Sequence, residues 1–399
     1  MTNHPLRLGI FGVGRMGLVH LENLARLARA GEIELVAIGD RFQPTLAEAG
    51  ARLGQWGTPR PARDVLQFAT PEAMADQCAL DACVVASRTE DHARDTLCLA
   101  GRGIRVLVEK PLAGSVAEAA SFCAALGDAC HDLVQIAFQR HYDNAALAAV
   151  RWVAGGRIGA LQQSHHVLQD KNPTPANYQS SGITADMAIH LIFEAMAFHD
   201  FELPVSVQAL RFMAPHYQDR AGEGANVVHA FCQWADGSLA HLWGSRINNT
   251  GYDNGFKLIG TAGRIDVGEF VGDFGPVTAR LWTGTGDGEP RGVLREALTF
   301  DMTPTTPDQP DFHARYAAAY AGELDGFLGR VRDGRPGEPG LDIGWKTMLV
   351  AELAERSSRE GGLPFRLVLA DGSPLRSAAD ALTLVQDAGG SPADPPPLR

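Results

Sequence analysis

The sequence lacks the features that direct a chain into or across a membrane. No apolar run approaches the roughly 20 residues that span a bilayer, and no charged-then-apolar leader precedes the first strand pattern at Leu6. Cys-x-x-Cys pairs are also absent. We therefore expect a cytoplasmic protein with buried, reduced thiols, no disulfide framework and no metal site. The cysteines are Cys78, Cys83, Cys98, Cys123, Cys130 and Cys232.

An excess of positive charge is missing too. The 35 Lys and Arg are outnumbered by 47 Asp and Glu, and the resulting net charge of -12 disfavours binding to nucleic-acid phosphates. Of the 399 residues, 45% are hydrophobic and 21% are charged. A chain of this size and composition is long enough for two domains, each with its own core.

Short apolar strands alternate with helices from Leu6 to about Phe138. Each strand is apolar along its whole length, which is typical of a parallel sheet covered by helices on both faces. The pattern predicts an α/β, doubly wound Rossmann domain over residues 1–140. The predicted strands are Leu6–Val13, Glu34–Gly39, Ala82–Ala86, Arg105–Val108 and Leu133–Phe138.

From residue 141 to about 370 the pattern changes to consecutive strands with few helices. Asp236-Gly237 lies between two of them and suits a tight hairpin turn. This predicts an α+β domain built on an open, mostly antiparallel sheet, with C-terminal helices that return to the first domain. Gly284–Pro310 is expected to be a long loop, and residues 371–399 a largely disordered tail.

A glycine fingerprint, Gly12-Val13-Gly14-Arg15-Met16-Gly17, follows the first strand and opens the first helix. Its three glycines permit a tight turn, a close approach of backbone to a pyrophosphate, and close packing of helix on strand. The helix N-terminus adds unpaired N–H groups and a positive dipole. The pattern predicts a dinucleotide site in which residues 12–16 contact the cofactor.

The acidic residue Asp40 ends the second strand, where a carboxylate can hold the adenosine ribose 2′-hydroxyl. Its charge favours NAD, because it would repel the 2′-phosphate of NADP. Arg41 follows directly and offers the opposite interpretation, since it can pair with such a phosphate. We predict NAD as the cofactor, with NADP less favoured.

Polar residues follow the strand predicted at Ala82–Ala86, at the carboxyl edge where open α/β sheets bind ligands. Ser87, Arg88 and Thr89 are expected to line the cofactor, and His92 begins the next helix beside them. The alternative for Thr89 and His92 is a role in capping that helix.

Three stretches together resemble the Gfo/Idh/MocA oxidoreductases, the relatives of glucose–fructose oxidoreductase and inositol dehydrogenase. They are the glycine fingerprint, the stretch from His92 to Glu109-Lys110-Pro111, and the segment from Gly182 to His190, which is similar to the family's G-x-x-x-D-x-x-x-H helix. The resemblance extends from Leu6 to about Leu369. It implies a NAD(P)-dependent oxidoreductase whose Lys, Asp and His remove a hydroxyl proton while hydride passes to nicotinamide.

The chemistry of the residues supports catalytic roles for Lys110, Asp186 and His190. Asp186 and His190 are four apart, so on a helix they share one face, where the carboxylate can fix the imidazole tautomer. His190 is the predicted general base. Lys110 is a compact cation that favours alkoxide character on the reacting oxygen as hydride leaves. Glu109 and Lys110 are also expected to contact the cofactor.

The resemblance further implies a set of substrate-binding residues. The loop after the strand at Leu161–Leu168 is similar to the polar loop with which inositol dehydrogenases bind hydroxyl groups. A family segment at the domain junction places Gln139 near the cofactor. A histidine equivalent to His313 reaches into a neighbouring subunit's pocket in some relatives. The expected set is Lys110, Arg140, Asp170, Lys171, Asn172, Asp186, His190 and His313.

The chain departs from the family pattern at two places. Ser181-Gly182 stands where a Gly-Gly pair is common, and Phe193 stands where an acidic, substrate-binding residue often follows the catalytic histidine. The second departure leaves the hydroxyl pattern of the substrate open. His165 and His166 alternate along a strand, so at most one of them faces the pocket.

The most favoured function is NAD-dependent oxidation of a ring hydroxyl of scyllo- or myo-inositol to a ketone. Oxidation of an aldose such as glucose at its anomeric carbon is the nearest alternative. An NAD-dependent glycosidase and a non-catalytic dinucleotide sensor are further alternatives, and the retained Lys110, Asp186 and His190 disfavour the sensor. The resemblance also implies a homo-oligomer, either dimer or tetramer, joined through the open sheet of the second domain.

Overall fold

The computed structural model describes residues 4–170, 182–217, 222, 224–268, 275–285, 291–302 and 311–388. The described chain divides into two compact units. Unit 1 contains the residues up to Gln139 together with Tyr320–Trp345, and unit 2 contains Arg140–Ala319 and the residues from Lys346 onward. The chain leaves unit 1 next to the boundary expected at residue 140, and part of its C-terminal region belongs to unit 1 again.

Unit 1 is built from alternating strands and helices. Over its described residues the strands form a six-stranded parallel sheet in the order β3-β2-β1-β4-β5-β6. This is the doubly wound Rossmann order, which reverses direction between β1 and β4. The strands are β1 (Leu6–Phe11), β2 (Ile33–Gly39), β3 (Leu66–Phe68), β4 (Ala82–Val85), β5 (Arg105–Glu109) and β6 (Val134–Ala137). The helices are α1 (Arg15–Arg29), α2 (Gln43–Trp56), α3 (Pro71–Gln77), α4 (Thr89–Ala100), α5 (Val116–Leu126) and α6 (Asp128–His131).

The core of unit 1 explains why its strands could be predicted from the apolar pattern of the sequence. Leu8, Ile10 and Val84 are completely buried and cluster with Leu21 and Leu24 of α1. Burial of each such side chain contributes about 1.5–3 kcal/mol to the stability of the fold. Helices cover both faces of a parallel sheet, so its strands are apolar on both faces. The sequence analysis missed β3 and the helix after it, because β3 has only three residues and two of them are exposed.

Unit 2 is centred on a mixed sheet. Over its described residues nine strands follow the order β14-β13-β12-β11-β7-β10-β9-β8-β15, antiparallel except for the parallel neighbours β7 and β10. The predicted α+β class is confirmed. The strands are β7 (Leu161–Gln169), β8 (Ser206–Phe212), β9 (Val227–Gln233), β10 (Leu239–Ser245), β11 (Asp253–Gly260), β12 (Gly263–Val267), β13 (Val277–Gly284), β14 (Gly292–Phe300) and β15 (Phe365–Arg366).

The helices of the second half complete the fold. A π-helical turn at Thr184–Ala188 leads directly into α8. The later helices α9 and α10 each contribute residues to both units. The helices are α7 (Asn144–Ala154), α8 (Ile189–Ala197), α9 (Asp311–Asp333), α10 (Leu341–Arg359) and α11 (Ala378–Asp387).

The two faces of the unit 2 sheet differ in character. Helices α7 and α8 pack against one face, where Trp152 and Phe256 belong to the same buried cluster. Strand alternation buries His166 on this side and leaves His165 partly exposed on the other. The other side, here called the open face, exposes large apolar side chains. They are Leu210, Phe212, Phe231, Leu239 and Trp243.

Two expectations about the fold were wrong. Gly284–Pro310 is not all loop, because Gly292–Phe300 forms the edge strand β14. Most residues of β14 are exposed, so the strand lacks the buried alternation that would have revealed it. The tail is not disordered throughout, because Ser377 caps a helix over Ala378–Asp387. Residues 389–399 lie outside the described part of the chain.

Among the described residues, no helix is long and apolar enough to cross a bilayer. All six cysteines are free thiols, and Cys78, Cys83 and Cys232 are buried as expected. The other three were also expected to be buried and are instead partly exposed; they are Cys98, Cys123 and Cys130.

Candidate functional site

The glycine loop of unit 1 lies at the point where the strand order reverses. Gly12 has φ +89°, and a Cβ added there would lie 2.2 Å from the backbone nitrogen of Ser87, which follows β4. A Cβ on Gly17 would lie 2.1 Å from the carbonyl oxygen of Gly12. Side chains at either position would collide with backbone. The sequence therefore needs glycine at both positions to bring β1, β4 and α1 together.

Open space surrounds the middle glycine of the loop. A Cβ added to Gly14 would meet no atom within 4 Å. Gly14 is also the N-cap of α1, and as a glycine it has no side chain to accept a hydrogen bond from the first turn. The hydroxyl of Ser87 is buried without a hydrogen-bond partner among the described residues. These features fit a dinucleotide whose diphosphate takes the hydrogen bonds offered at the helix N-terminus.

The carboxylate of Asp40 faces this loop. One oxygen accepts a hydrogen bond from Val13 N at 2.9 Å, and the other accepts one from Phe42 N at 2.8 Å. Each carboxylate oxygen has a further lone pair, so Asp40 can also accept hydrogen bonds from ribose hydroxyls. Arg41 forms an ion pair with Asp95, with two hydrogen bonds of 2.8 and 2.5 Å.

His92 and Glu109, both predicted to contact the cofactor, are held by hydrogen bonds to other protein groups. His92 is 2% exposed, and its ring nitrogens lie 2.7 Å from Pro111 O and 3.0 Å from Ser87 O. It therefore ties together the loops after β4 and β5. Glu109 is also buried, where His20 Nε2 lies 2.8 Å from its carboxylate. These contacts position both side chains beside the glycine loop and Lys110, and the contact with the cofactor predicted for them stays a prediction.

Lys110 lies at the end of β5, is partly exposed, and is joined to Pro111 by a cis peptide bond. The carboxylate of Glu109 accepts a hydrogen bond of 3.1 Å from Lys110 N, and Glu323 is a second buried carboxyl group of unit 1. Burial alone would raise the pKa of Glu109, but the hydrogen bond from His20 and neighbouring positive charge lower it overall. Burial and the nearby charge of Glu109 raise the pKa of Glu323 well above its ordinary value. The pKa values of these two carboxyl groups are therefore shifted in opposite directions.

Unit 2 contributes Asp186 and His190. Asp186 lies in the π-helical turn and His190 in the first turn of α8, and both side chains are partly exposed. Arg246 donates a hydrogen bond of 3.0 Å to the Asp186 carboxylate, and the two side chains are 13% and 12% exposed. Arg246 directly follows β10. This nearly buried ion pair fixes Asp186, and Arg246 was not predicted as a site residue from the sequence.

The parallel neighbours β7 and β10 bring Asp170 to the same edge. Asp170 N donates to Ser245 O at 2.9 Å, and Asn248 N donates to Asp170 O at 2.9 Å. The carboxyl ends of these strands therefore lie side by side, with Asp170 after one and Arg246 after the other. Charged groups with complementary hydrogen-bonding capacity meet at this edge. Lys171 and Asn172, predicted in the same loop, lie outside the described residues.

Arg140, predicted to contact the substrate, is buried and belongs to unit 2. It is 3% exposed and donates to Glu194 at 2.9 Å, and the other oxygen of Glu194 lies 3.1 Å from His166 Nδ1. Burial alone would raise the pKa of Glu194, but Arg140 and His166 lower it overall. Glu194 is four residues after His190, so this network fixes the rotation of α8 and with it His190.

The remaining predicted residues lie at the surface or at the limit of a unit. Arg15 and Arg88 are exposed, Met16 and Thr89 are partly exposed, and Gln139 is the buried last residue of the first segment of unit 1. His313 is the third residue of α9 and is partly exposed. The cofactor residues thus belong to unit 1. Asp170, Asp186, His190 and His313 belong to unit 2.

Two family models match the chain. One, the oxidoreductase family GFO_IDH_MocA with an NAD-binding Rossmann fold, matches residues 6–135. The other, the GFO/IDH/MocA C-terminal domain, matches residues 146–266. Together these matches cover more than half of the sequence.

Curated relatives are similar over nearly their whole length. An inositol 2-dehydrogenase of Rhizobium meliloti is 30% identical over 360 residues, which cover 89% of this chain and 97% of that protein. A scyllo-inositol 2-dehydrogenase (NAD(+)) of Bacillus subtilis is 24% identical, with coverage of 91% and 97%. A solved myo-inositol dehydrogenase of Corynebacterium glutamicum superposes with a TM-score of 0.73 at 25% identity, covering 92% of this chain and 100% of that one.

Proposed function

Because the chain belongs to the GFO/IDH/MocA oxidoreductase family and has its NAD-binding Rossmann domain, we propose that it oxidises a ring hydroxyl of scyllo- or myo-inositol to a ketone. The similarity to inositol 2-dehydrogenases over 89% of the chain supports this substrate class. The observation that carries the proposal is the edge of the unit 2 sheet where Asp170, Asp186 and Arg246 meet. Several charged hydrogen-bonding groups in one place suit a ligand with many hydroxyls.

Each step of the reaction has a residue suited to it. His190 accepts the hydroxyl proton, and Asp186 orients the imidazole and stabilises the imidazolium that forms. Arg246 holds the Asp186 carboxylate in place. Lys110 hydrogen-bonds the reacting oxygen as the C=O bond forms. NAD, held at the glycine loop and Asp40, would supply the acceptor for the hydride of the same carbon.

The two units divide this work in our proposal. Unit 1 binds the cofactor through Gly12, Gly14 and Asp40 and presents Lys110. Unit 2 binds the polyol and supplies the acid–base pair. The fixed rotation of α8, maintained by the buried Arg140–Glu194 ion pair, keeps His190 ready for proton transfer.

We also propose that the protein acts in the cytoplasm.

Aldose oxidation is the alternative function, and the observation that favours it is Phe193. Its side chain is fully buried, so it offers no hydrogen bond where many relatives are expected to have an acidic substrate-binding residue. A pocket with one acidic group fewer is less specific for a fully hydroxylated ring. An aldose oxidised at its anomeric carbon needs the same Lys110 and His190.

We further propose a homo-oligomer, dimer or tetramer, assembled through the open face. Five large apolar side chains are at least one-third exposed there, which is more than isolated surface residues would explain. Trp243→Glu and Phe231→Glu should therefore lower the mass measured by light scattering. An unchanged mass in both variants would refute this interface.

NADH formation by the purified protein tests the function. We expect turnover with scyllo-inositol, myo-inositol or both, at a kcat/KM at least tenfold above that for D-glucose or L-glucose, and with NAD in preference to NADP. Preference for a glucose would establish the aldose alternative. No turnover with any substrate, while NAD still binds, would favour the glycosidase or the sensor.

A further inference from the structure

Arg41 is held by an acidic pair on a neighbouring helix. Its two terminal nitrogens donate to the two carboxylate oxygens of Asp95, at 2.8 and 2.5 Å, and Asp91 lies 3.6 Å away. Asp91 and Asp95 are one helical turn apart on α4 and so face the same side. Such bidentate pairs fix both the position and the orientation of a guanidinium.

The surroundings of this pair keep Arg41 in place. The Asp95 side chain is 0% exposed, and that of Arg41 is 34% exposed. The guanidinium carbon lies 5.0 Å from the centre of the Phe11 ring, within cation–π range. Releasing Arg41 would leave the buried Asp95 carboxylate with Arg94 as its one remaining cation in the described part of the chain, and Arg94 Nε is 3.5 Å away. The ion pair is therefore a stable feature of unit 1.

The position of Arg41 gives this pair a consequence for the coenzyme. Arg41 is adjacent in sequence to Asp40, the residue predicted to face the adenosine ribose, and a guanidinium at this position can pair with a 2′-phosphate. We propose that Asp95 is a coenzyme-specificity residue, which withdraws Arg41 from the ribose site and so maintains rejection of NADP. Asp40 repels the phosphate directly, and Asp95 removes the group that would compensate for it.

This inference rests on the coenzyme site of the proposed function and not on the identity of the polyol. The test is therefore direct binding, measured as the fluorescence of NADPH and NADH titrated with protein in the absence of substrate. The variants are Asp40→Ser, Asp95→Asn, and the two combined. Asn has nearly the shape of Asp and removes its charge.

The expected result is non-additive. Asp40→Ser alone should improve NADPH affinity only a few-fold, because Arg41 remains paired. Adding Asp95→Asn should improve NADPH affinity by a further ten- to hundredfold, about the effect of one or two charge-assisted hydrogen bonds. NADH affinity should change less than threefold between these two variants. Adding Arg41→Met to the double variant should abolish the gain for NADPH.

Two comparisons guard against a trivial outcome. Asp91→Asn in the Asp40→Ser background lowers the negative charge near Arg41 without breaking its bidentate pair, so it should give a much smaller gain. The second comparison keeps Asp95. Adding Arg41→Met to Asp40→Ser should leave NADPH affinity at the level of Asp40→Ser alone.

An equal gain with Asp91→Asn and Asp95→Asn would overturn the inference, as would a gain that persists without Arg41. A loss of NADPH affinity when Arg41→Met is added to Asp40→Ser would do the same, because it would place Arg41 on the phosphate already. A wild-type protein that binds neither nucleotide would instead refute the coenzyme site itself.

Discussion

Replacing Arg246 is the perturbation whose effect the structure defines best. Arg246→Met keeps most of the side-chain volume and removes the 3.0 Å hydrogen bond to the Asp186 carboxylate. A hydrogen bond to a charged group contributes about 1.5–3 kcal/mol. Both side chains are nearly buried, so little of this is lost to solvent screening. Since we propose that Asp186 orients His190, we expect kcat with inositol to fall about 10- to 100-fold.

The affinity for NADH, measured by fluorescence titration, should remain within twofold of wild type, because Arg246 belongs to unit 2. Arg246→Lys keeps one donor and should recover part of kcat. Arg264→Met is the matched control, since it removes an Arg–Asp pair of the same unit that is more exposed. Wild-type kcat in Arg246→Met, or an equal loss in Arg264→Met, would refute the positioning role.

Three further predictions test other parts of the site. Lys110→Met should lower kcat by at least a thousandfold while NADH affinity changes less than threefold, and near-normal turnover would remove Lys110 from the mechanism. Glu194→Gln leaves Arg140 buried and unpaired, and should cost about 3–5 kcal/mol in a denaturant titration at neutral pH. The pKa of Glu194 is lowered in the folded state. The difference in the free energy of unfolding between wild type and variant should therefore have its full size above the unfolded-state pKa and shrink as pH falls through the lower folded-state pKa. A pH-independent difference would contradict the assignment. Gly14→Ala should keep the wild-type melting temperature and weaken NADH binding at least tenfold, whereas Gly12→Ala should destabilise the fold; equal melting temperatures would refute the steric argument.

The Rossmann half of the fold was predictable because its signals are local. Each strand is a short apolar run, and the glycine fingerprint has a fixed spacing whose steric reasons the structure confirms at Gly12 and Gly17. The strand β14 was not predictable, since an edge strand with mostly exposed residues resembles a polar loop.

The charge pairs around the site were not predictable for a different reason. Arg246 is 60 residues from Asp186 in sequence, and Arg140 is 54 residues from Glu194. Their contacts depend on the parallel pairing of β7 with β10 and on the rotation of α8, which no local pattern specifies. The family motif predicted Arg140 near the substrate. Its burial depends on the tertiary contact with Glu194, which the motif does not contain.

The central claim is direct hydride transfer from an inositol carbon to NAD. The most direct measurement uses scyllo- or myo-inositol deuterated at the ring carbons, with the mass of the NADH product determined after turnover. We predict one deuterium in each NADH, matched by one molecule of ketone, with a slower rate than for unlabelled inositol if hydride transfer limits turnover. NADH without deuterium, or no NADH from either inositol, would contradict the account.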